Sequence, residues 1–266
     1  MGNIIYNTKP TFKKYGWSRE HPEINTVYKN YSNFNNFSQV DLRSKCPPIY
    51  NQGKLSSCIS NVLIGAYEYD LIKQNKPRFI PSRLFIYYNE RLIEHTTNSD
   101  SGSSLKNGIN AISKYGIVAE DKWPYNINKF TKKPYESIYD IALKNKDIVY
   151  IKLKQDIDHI RQALDEKNVI AFGFSVYESF ESDEVVQSGI MTLPKENDKF
   201  LGGHAVLAVG YNDSLNLIIV RNSWGTEWGD KGYFYMPYDY IINNELSSDF
   251  WIIDRLEKIS FYPTLE

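Results

Sequence analysis

The sequence has little cysteine and no marked excess of charge of either sign. It carries two cysteines, Cys46 and Cys58, among 266 residues, and its formal net charge is -1. Secreted scaffolds held by disulfides carry more cysteines, so a reducing, intracellular setting is expected rather than secretion. The near-neutral charge favours neither nucleic acid nor an anionic membrane as a partner.

Long apolar runs are also missing. No run approaches the roughly 18 residues that a membrane-spanning helix needs. The first residues, MGNIIYNTKPTFKKYGW, have only a two-residue Ile-Ile apolar core, which is too short for a secretory signal. Metal-ligand spacings, phosphate-binding glycine loops and dinucleotide fingerprints are missing as well, so neither a metal nor a cofactor is predicted.

The sequence does contain enough apolar material for a substantial core. Hydrophobic residues make up 42% of the chain and aromatic residues 15%. Residues 1–38 are polar with scattered aromatic residues and show no periodicity, so they are interpreted as an extended N-terminal arm without helix or strand. Residues 39–256 are predicted to form the folded domain, and residues 257–266 a C-terminal tail.

The two parts of the domain show different periodicities. Over about residues 53–125 apolar residues recur at helical spacing, with Ser57 as a plausible N-cap and Pro81 suited to a first turn. Four helices are predicted: about Cys58–Lys73, one opening at Pro81-Ser82, one ending at Gly116, and one covering Ile157, Ile160 and Leu164. Residues 126–150 are rich in Lys, Asn and Asp and are interpreted as a surface connection.

Over about residues 148–253 the pattern changes to short segments rich in β-branched and aromatic residues. These segments are VIAFGFSVY, GHAVLAVGY, LNLIIVRNSW, GYFYMPY and DFWIIDR. Helices followed by antiparallel strands indicate an α+β fold with two subdomains.

Cys58 follows two serines at the predicted start of the first helix. A thiolate rather than a thiol is the nucleophile, and a helix N-terminus favours the anion through its free N–H groups. A catalytic nucleophile is therefore one interpretation of Cys58. The other is a small buried hydrophobic residue, as free cysteines commonly are.

His204 differs from the other three histidines in its surroundings. It opens the apolar strand of LGGHAVLAVGY just after a glycine pair, so the strand fixes its position while its backbone approaches a cleft. His21 lies in the polar arm, and His95 and His159 lie near helical surfaces. A buried core histidine remains the alternative for His204.

Asn222 follows the strand that ends at Arg221, in VRNSWGTEWGDKGYF. An amide side chain accepts a ring N–H from an imidazole and fixes its tautomer without ionising. Trp224 is placed to cover that hydrogen bond and exclude water. The alternative is a glycine-rich turn in which Trp224 and Trp228 only pack.

Cys58, His204 and Asn222 occur in the order, and at about the spacing, of the papain-like cysteine peptidases, which the sequence resembles. Three longer segments extend the resemblance: VDLRSKCPPIYNQGKLSSC, SGSSLKNGINAISKYGIVAEDKWPY and RNSWGTEWGDKGYFYMP. It covers about Val40 to Ile253. It implies a helical left half and an antiparallel, barrel-like right half, with the active-site cleft between them.

Two departures from the family pattern Cys-Gly-Ser-Cys-Trp lie beside Cys58. Leu55 stands where the family has a cysteine, so the usual disulfide there is absent, and Ile59 replaces the tryptophan. These changes, with Gly16-Trp17 upstream, resemble the disulfide-poor branch found in prokaryotes and large DNA viruses.

Cys46 is assigned no catalytic role; it is a free thiol in a proline loop, a packing residue or a redox partner.

The resemblance implies peptide-bond hydrolysis by a Cys58 thiolate paired with a His204 imidazolium that Asn222 orients. The oxyanion is met by the Cys58 backbone N–H and the Gln52 side chain. Gln52 lies six residues before Cys58 and is followed by Gly53, which matches the family. Without the resemblance Gln52 would be an ordinary loop residue.

The resemblance also places five residues against an extended polypeptide substrate: Gly102, Ser103, Gly203, Ala205 and Trp224. The first two pair with the substrate backbone, Ala205 lines a side pocket, and Trp224 faces the leaving group. A helix-capping loop is the alternative for Gly102 and Ser103.

An endopeptidase is favoured over an exopeptidase, although the sequence does not separate them or exclude peptide ligation.

The aromatic residues of the arm lead to a hypothesis about regulation. The long helical prodomain usual for the family is missing, and residues 1–38 carry Tyr15 and Trp17 among other aromatic residues. The arm is expected to lie against the domain and partly cover the cleft as a built-in inhibitor. The alternative for the arm is packing on the back of the strand-rich half, or disorder.

The alternative function for the whole chain is a catalytically silent papain-like binding or structural module.

Overall fold

The computed structural model describes residues 15–20, 28–29, 31, 37–146 and 148–255. Its first half holds most of the helices and its second half most of the strands, so the predicted α+β fold is confirmed. The elements are, in chain order, β1 (Tyr28–Lys29), β2 (Gln39–Asp41), α1 (Cys58–Lys73), α2 (Arg83–Ile93), α3 (Leu105–Tyr115), α4 (Glu136–Ala142), β3 (Ile148–Leu153), α5 (Ile157–Asp165), β4 (Ile170–Tyr177), α6 (Asp183–Ser188), β5 (Phe200–Asn212), β6 (Leu217–Arg221), β7 (Tyr233–Pro237), α7 (Tyr238–Ile242) and β8 (Ser247–Arg255).

The starts of α1 and α2 differ from the sequence-based expectation. Ser57 takes the N-cap position of α1, but its side chain does not cap the helix, and its hydroxyl lies 2.6 Å from the Tyr125 hydroxyl instead. The first N–H groups of α1 therefore have no side-chain cap. In α2 the N-cap is Ser82, whose hydroxyl accepts from the Phe85 N–H, so Pro81 precedes the helix instead of lying in its first turn.

Two short elements were not predicted from the sequence. The connection over residues 126–150 contains α4, which buries Ile138 and Ala142, four residues apart on one face. Its surrounding polar residues hide this short apolar face in the sequence. The N-terminal arm also contributes a strand, since β1 pairs in parallel with β3.

The strands form one sheet in the order β1-β3-β8-β4-β5-β6-β7, with β2 also paired to β5. Every pairing is antiparallel except that of β1 with β3. The central strand β5 carries His204 near its start and continues through a fully buried apolar run from Ala205 to Val209, apart from Leu207 at 1% exposure. Residues of such a strand have little freedom, so β5 holds His204 at a fixed position.

Helix α1 is the element that joins the two halves. It packs against α2 and α3 on one side and against β5 and β8 on the other, which explains why nearly its whole length is buried. Its first residue therefore lies at the junction between the helices and the sheet. Among the described residues, no helix is both long and apolar enough to cross a membrane.

Candidate active site

Cys58 is the first residue of α1 and is fully buried. Burial raises the pKa of its thiol to about 12, although hydrogen bonds from the backbone N–H groups of Ala205, Gly16 and Ile59 lower it. Ala205 is the neighbour of His204 on β5, so the sulfur lies where the helix start meets that strand. Gly16 belongs to the N-terminal arm, so the arm also reaches the sulfur.

His204 is oriented by Asn222. The ring Nε2 lies 2.9 Å from Asn222 Oδ1, which also accepts the Ser223 backbone N–H at 2.8 Å. An amide oxygen that accepts at Nε2 fixes the tautomer with the proton there and leaves Nδ1 with a lone pair. Among the described residues Nδ1 has no hydrogen-bond partner, the Cys58 thiol included.

The surroundings of His204 keep water away from the ring. The Trp224 ring stacks on the imidazole at 4.8 Å between centroids and 29° between planes. Burial lowers the pKa of His204 to about 4, and the hydrogen bond with Asn222 offsets this only in part. The imidazole is therefore neutral at physiological pH in this state.

Gln52 connects the loop before α1 to the turn that carries Asn222. Its side-chain Oε1 accepts from the Ser223 hydroxyl at 2.7 Å, and its Nε2 donates to the Leu55 carbonyl at 2.9 Å. Its backbone N–H donates to the Ser223 carbonyl at 2.9 Å. The two bonds to Ser223 cross from the helical half to the strand-rich half, and the bond to Leu55 fixes the Gln52 amide near the start of α1.

Residues 15–20, which we call the cleft segment, lie extended between the two halves. The Ser103 N–H donates to the Gly16 carbonyl at 2.7 Å, and the Ser18 N–H donates to the Ser103 carbonyl at 2.9 Å. On the opposite side the Trp17 N–H donates to the Gly203 carbonyl at 3.0 Å. Trp17 and Ser103 form a parallel bridge. The cleft segment thus pairs with the two residues expected to pair with, or lie beside, a substrate.

Two glycines permit this close approach. A Cβ at Gly102 would lie 2.1 Å from the Gly16 carbonyl oxygen, and Gly102 has a φ of +69° that favours glycine. A Cβ at Gly16 would lie 1.9 Å from the Ser56 carbonyl oxygen. Neither position accepts a side chain without displacing the cleft segment.

Tyr15 covers the other side of the site. Its ring lies 6.3 Å from the ring centroids of both His204 and Trp224, and its hydroxyl donates to the Glu181 carboxylate. Cys58 and His204 consequently have no exposed surface. The cleft segment therefore covers the nucleophile and the histidine together.

The structure brings the predicted site residues into one place. Cys58, His204, Asn222 and Gln52 meet at the junction of α1 with β5, and the five predicted substrate-contact residues border the cleft segment or the His204 ring. Sequence reasoning assigned no role to Ser223, although it follows Asn222 directly. It also missed Gly173 and Asp249, which contact Trp17 and carry no recognisable local signal.

Comparisons with known proteins identify the family. The model of the papain family cysteine proteases matches residues 37–249. The chain belongs to the papain family. The predicted membership is thus confirmed, together with cysteine-peptidase activity as the class of function and a polypeptide as the class of substrate.

Individual relatives cover a large part of the chain. An uncharacterized peptidase C1-like protein of Acanthamoeba polyphaga mimivirus is 44% identical over 215 residues, which are 77% of this chain and 69% of the viral protein. Pro-cathepsin H of Mus musculus is 30% identical over 74% of this chain, and the match spans 59% of that protein. Among solved structures, xylellain, a cysteine protease from Xylella fastidiosa, is 38% identical, with a TM-score of 0.85 over 91% of this chain and 96% of that one. The viral relative and the bacterial structure agree with the predicted prokaryotic and viral branch.

Proposed function

We propose that the chain is a cysteine endopeptidase whose own cleft segment holds it inactive. Cys58 is the nucleophile, His204 is its proton acceptor and later the proton donor to the leaving amine, and Asn222 orients His204. The bond between His204 Nε2 and Asn222 Oδ1 and the contact of Ala205 with the Cys58 sulfur support these roles.

Gln52 is proposed as the side-chain donor of the oxyanion hole, beside the Cys58 backbone N–H. Two features support this role: the uncapped start of α1 and the hydrogen bonds that fix Gln52, two through its side-chain amide and one through its backbone N–H. A donor fixed before the reaction needs no reorganisation when negative charge develops on the carbonyl oxygen. Of the two N–H groups of Gln52 Nε2, one donates to the Leu55 carbonyl in the covered state, and the proposed role falls to the other.

The path of the cleft segment supports endopeptidase activity. It places Tyr15 on the Trp224 side of Cys58 and Ser18 beside Ser103 on the other side. An extended chain therefore fits on both sides of the nucleophile, which cleavage within a polypeptide requires. Residues 39–256 form the peptidase domain in this proposal, with Gly102, Ser103, Gly203, Ala205 and Trp224 as its substrate contacts.

The observation that carries the inhibitory role is the path of the segment, which pairs with Ser103 and Gly203 on the two sides of the site and leaves Cys58 and His204 with no exposed surface. A substrate carbonyl cannot reach the sulfur while Gly16 lies there. In the covered state burial raises the pKa of the Cys58 thiol, which the Gly16 N–H offsets only in part, and lowers the pKa of His204. The segment therefore blocks access to a site in which the thiol and the neutral imidazole are the favoured forms.

Labelling of Cys58 by an epoxysuccinyl inhibitor at pH 6 tests this proposal in the full chain. Gly16→Ala introduces a methyl group 1.9 Å from the Ser56 carbonyl and should displace the segment. We expect labelling about tenfold faster or more, since overpacking of this kind costs about 1–3 kcal/mol. Ser18→Ala, on an exposed side chain, is the matched control, and Cys58→Ala shows the background.

The outcomes separate the alternatives. Equally fast labelling of the parent chain and of Gly16→Ala would show an open peptidase and would remove the inhibitory role. No labelling of either protein, with both folded, would favour the silent binding module.

A further inference from the structure

The hydroxyl of Tyr125 lies between the two chain segments that carry the proposed oxyanion donors. It donates to the Gln52 carbonyl oxygen at 2.8 Å and lies 2.6 Å from the Ser57 hydroxyl. A tyrosine hydroxyl has one proton and a carbonyl oxygen only accepts, so the Ser57 hydroxyl is the donor in the second bond. Ser57 directly precedes Cys58, so a single side chain connects the Gln52 backbone to the start of α1.

These bonds are part of a longer chain of hydrogen bonds. Asn61 Nδ2 donates to the Ser57 carbonyl at 2.8 Å and to the Ser57 hydroxyl oxygen at 3.3 Å. The Ser57 hydroxyl in turn donates to Tyr125, and Tyr125 donates to Gln52. Each of the two hydroxyl groups accepts one bond and donates another, and bonds arranged in this way strengthen one another.

The Gln52 backbone is held from both halves of the molecule. Its N–H donates to the Ser223 carbonyl at 2.9 Å, in the turn after β6. Its carbonyl accepts from Tyr125, in the loop between α3 and α4. The side-chain amide extends from this fixed backbone, so a shift of the Gln52 carbonyl would move the amide relative to the Cys58 N–H.

The ring of Tyr125 is held as well. The Arg83 guanidinium lies 4.1 Å from the ring centroid and forms two hydrogen bonds with the Glu120 carboxylate, at 2.8 and 2.9 Å. A planar guanidinium that stacks on a ring and binds both oxygens of a carboxylate has little freedom to turn. Arg83 and Glu120 belong to the domain, so this support remains when the cleft segment leaves.

We propose that Tyr125 is a positioning residue of the oxyanion hole, which sets the separation between the Gln52 side-chain donor and the Cys58 N–H. The inference rests on the proposed function, because it concerns the two donors assigned there. Tyr125 acts through the Gln52 carbonyl on one side and through Ser57 on the other. A developing oxyanion gains from both donors only when both lie at hydrogen-bond distance from the same oxygen.

The test compares Tyr125→Phe with its parent in the full chain carrying Gly16→Ala. The substitution keeps the ring and removes both hydrogen bonds of the hydroxyl. We expect kcat on a fluorogenic peptide to fall about tenfold, since small misplacements of a positioned group cost up to about 10²-fold. KM should change less than about twofold, because the donors act mainly on the charge that develops during the reaction.

Alkylation of Cys58 by iodoacetamide separates this role from a general loosening of the fold. The thiolate displaces iodide in this reaction, and no carbonyl oxygen becomes charged. The rate at neutral pH in Tyr125→Phe should therefore stay within about twofold of the rate in Gly16→Ala alone. A loosened site would change the alkylation rate and kcat together.

Further variants in the same chain assign the effect to the hydrogen bonds. Ser57→Ala removes the 2.6 Å bond and leaves Tyr125 on the Gln52 carbonyl, so kcat should fall about threefold, as for one hydrogen bond. In a Gln52→Ala background Tyr125→Phe should cost less than about threefold, because one of the two donors is already gone. Tyr135→Phe removes a hydroxyl from a side chain that is 72% exposed and is the matched control, which should leave kcat unchanged.

An unchanged kcat in Tyr125→Phe would overturn the inference and leave the proposed function intact. Parallel losses of kcat and of the alkylation rate would also overturn it, because they would indicate a loosened site. If Tyr125→Phe does not fold, an unchanged kcat in Ser57→Ala overturns it. No hydrolysis of any peptide and no labelling of Cys58 in Gly16→Ala would contradict the proposed function itself, and the inference with it.

Discussion

The candidate catalytic residues and the cleft segment that covers them are held in different ways. His204, Asn222 and Gln52 are fixed by hydrogen bonds within the domain, through Asn222 Oδ1 at 2.9 Å and the Ser223 hydroxyl at 2.7 Å. Residues 15–20 are fixed by the groove that they occupy. Removal of the segment breaks none of the bonds that hold the site, so the site is expected to stay assembled without its cover.

Because of this difference, substitutions in the two regions should change the activity in opposite directions. Changes in the domain's site should lower turnover, whereas changes that loosen residues 15–20 should raise access to Cys58. The predictions below use the full chain, and Gly16→Ala serves as its uncovered form.

The largest effect is expected for Gln52→Ala in the uncovered form. Loss of one oxyanion donor costs about 10²–10³ in kcat. KM should change little, because the donor acts mainly on the charge that develops during the reaction. The check is kcat and KM on a fluorogenic peptide, with the melting temperature measured in parallel. A rise in KM alone, at unchanged kcat, would place Gln52 in substrate binding.

The pH dependence of cysteine alkylation tests how the cleft segment affects Cys58. Because burial raises the pKa of Cys58 to about 12, its thiolate fraction in the covered chain should rise about tenfold per pH unit between pH 7 and 10. In Gly16→Ala the thiolate should form through the ion pair with His204. We therefore expect a faster and nearly flat iodoacetamide rate from pH 6 to 8.

Cys46 is the internal control for that experiment. Burial raises the pKa of its thiol to about 11, and its sulfur donates to the Leu42 carbonyl at 3.5 Å, away from residues 15–20. Its alkylation should show the same steep pH dependence in both proteins when the sites are mapped by mass spectrometry. A change at Cys46 with Gly16→Ala would indicate a loosened fold instead of an uncovered cleft.

The smallest effect is expected for Ser223→Ala. It removes the 2.7 Å bond to Gln52 Oε1 and leaves the backbone bonds of the turn in place. One such hydrogen bond contributes about 1 kcal/mol, so kcat should fall about fivefold. Gln52→Ala and Ser223→Ala should be less than additive in a double mutant, because Ser223 acts through Gln52. Full additivity would contradict this link.

Much of the fold followed from local signals, whereas the grouping of the candidate site followed from the order and spacing shared with the family. The bounds of α1 and the stop of α3 at Gly116 follow from periodicity and from glycine at a helix end. Cys58 and His204 stood out because one begins a helix and the other follows a glycine pair. The family resemblance, not the periodicity, supplied Gln52.

The rest depends on contacts between distant parts of the chain. The Ser57 hydroxyl bonds to Tyr125 instead of capping α1, and nothing near Ser57 in the sequence indicates that partner. Asp249 is recognisable only by its hydrogen bond with Trp17, which lies more than 200 residues earlier along the chain. The aromatic content of the arm led to the hypothesis of a cover, but the Gly16-Trp17 pair indicated only a branch of the family and not that Gly16 approaches the sulfur.

The covalent connection between residues 15–20 and the domain has a consequence for the kinetics. A tethered occupant has an effective concentration set by the chain that joins it to the site, not by the protein concentration. Dilution therefore does not relieve it, and only a substrate that competes with it, or a change that weakens it, raises the active fraction. For the parent chain this predicts a higher apparent KM than for Gly16→Ala and an unchanged kcat. These are the kinetics of a competitive inhibitor that stays covalently attached to the enzyme.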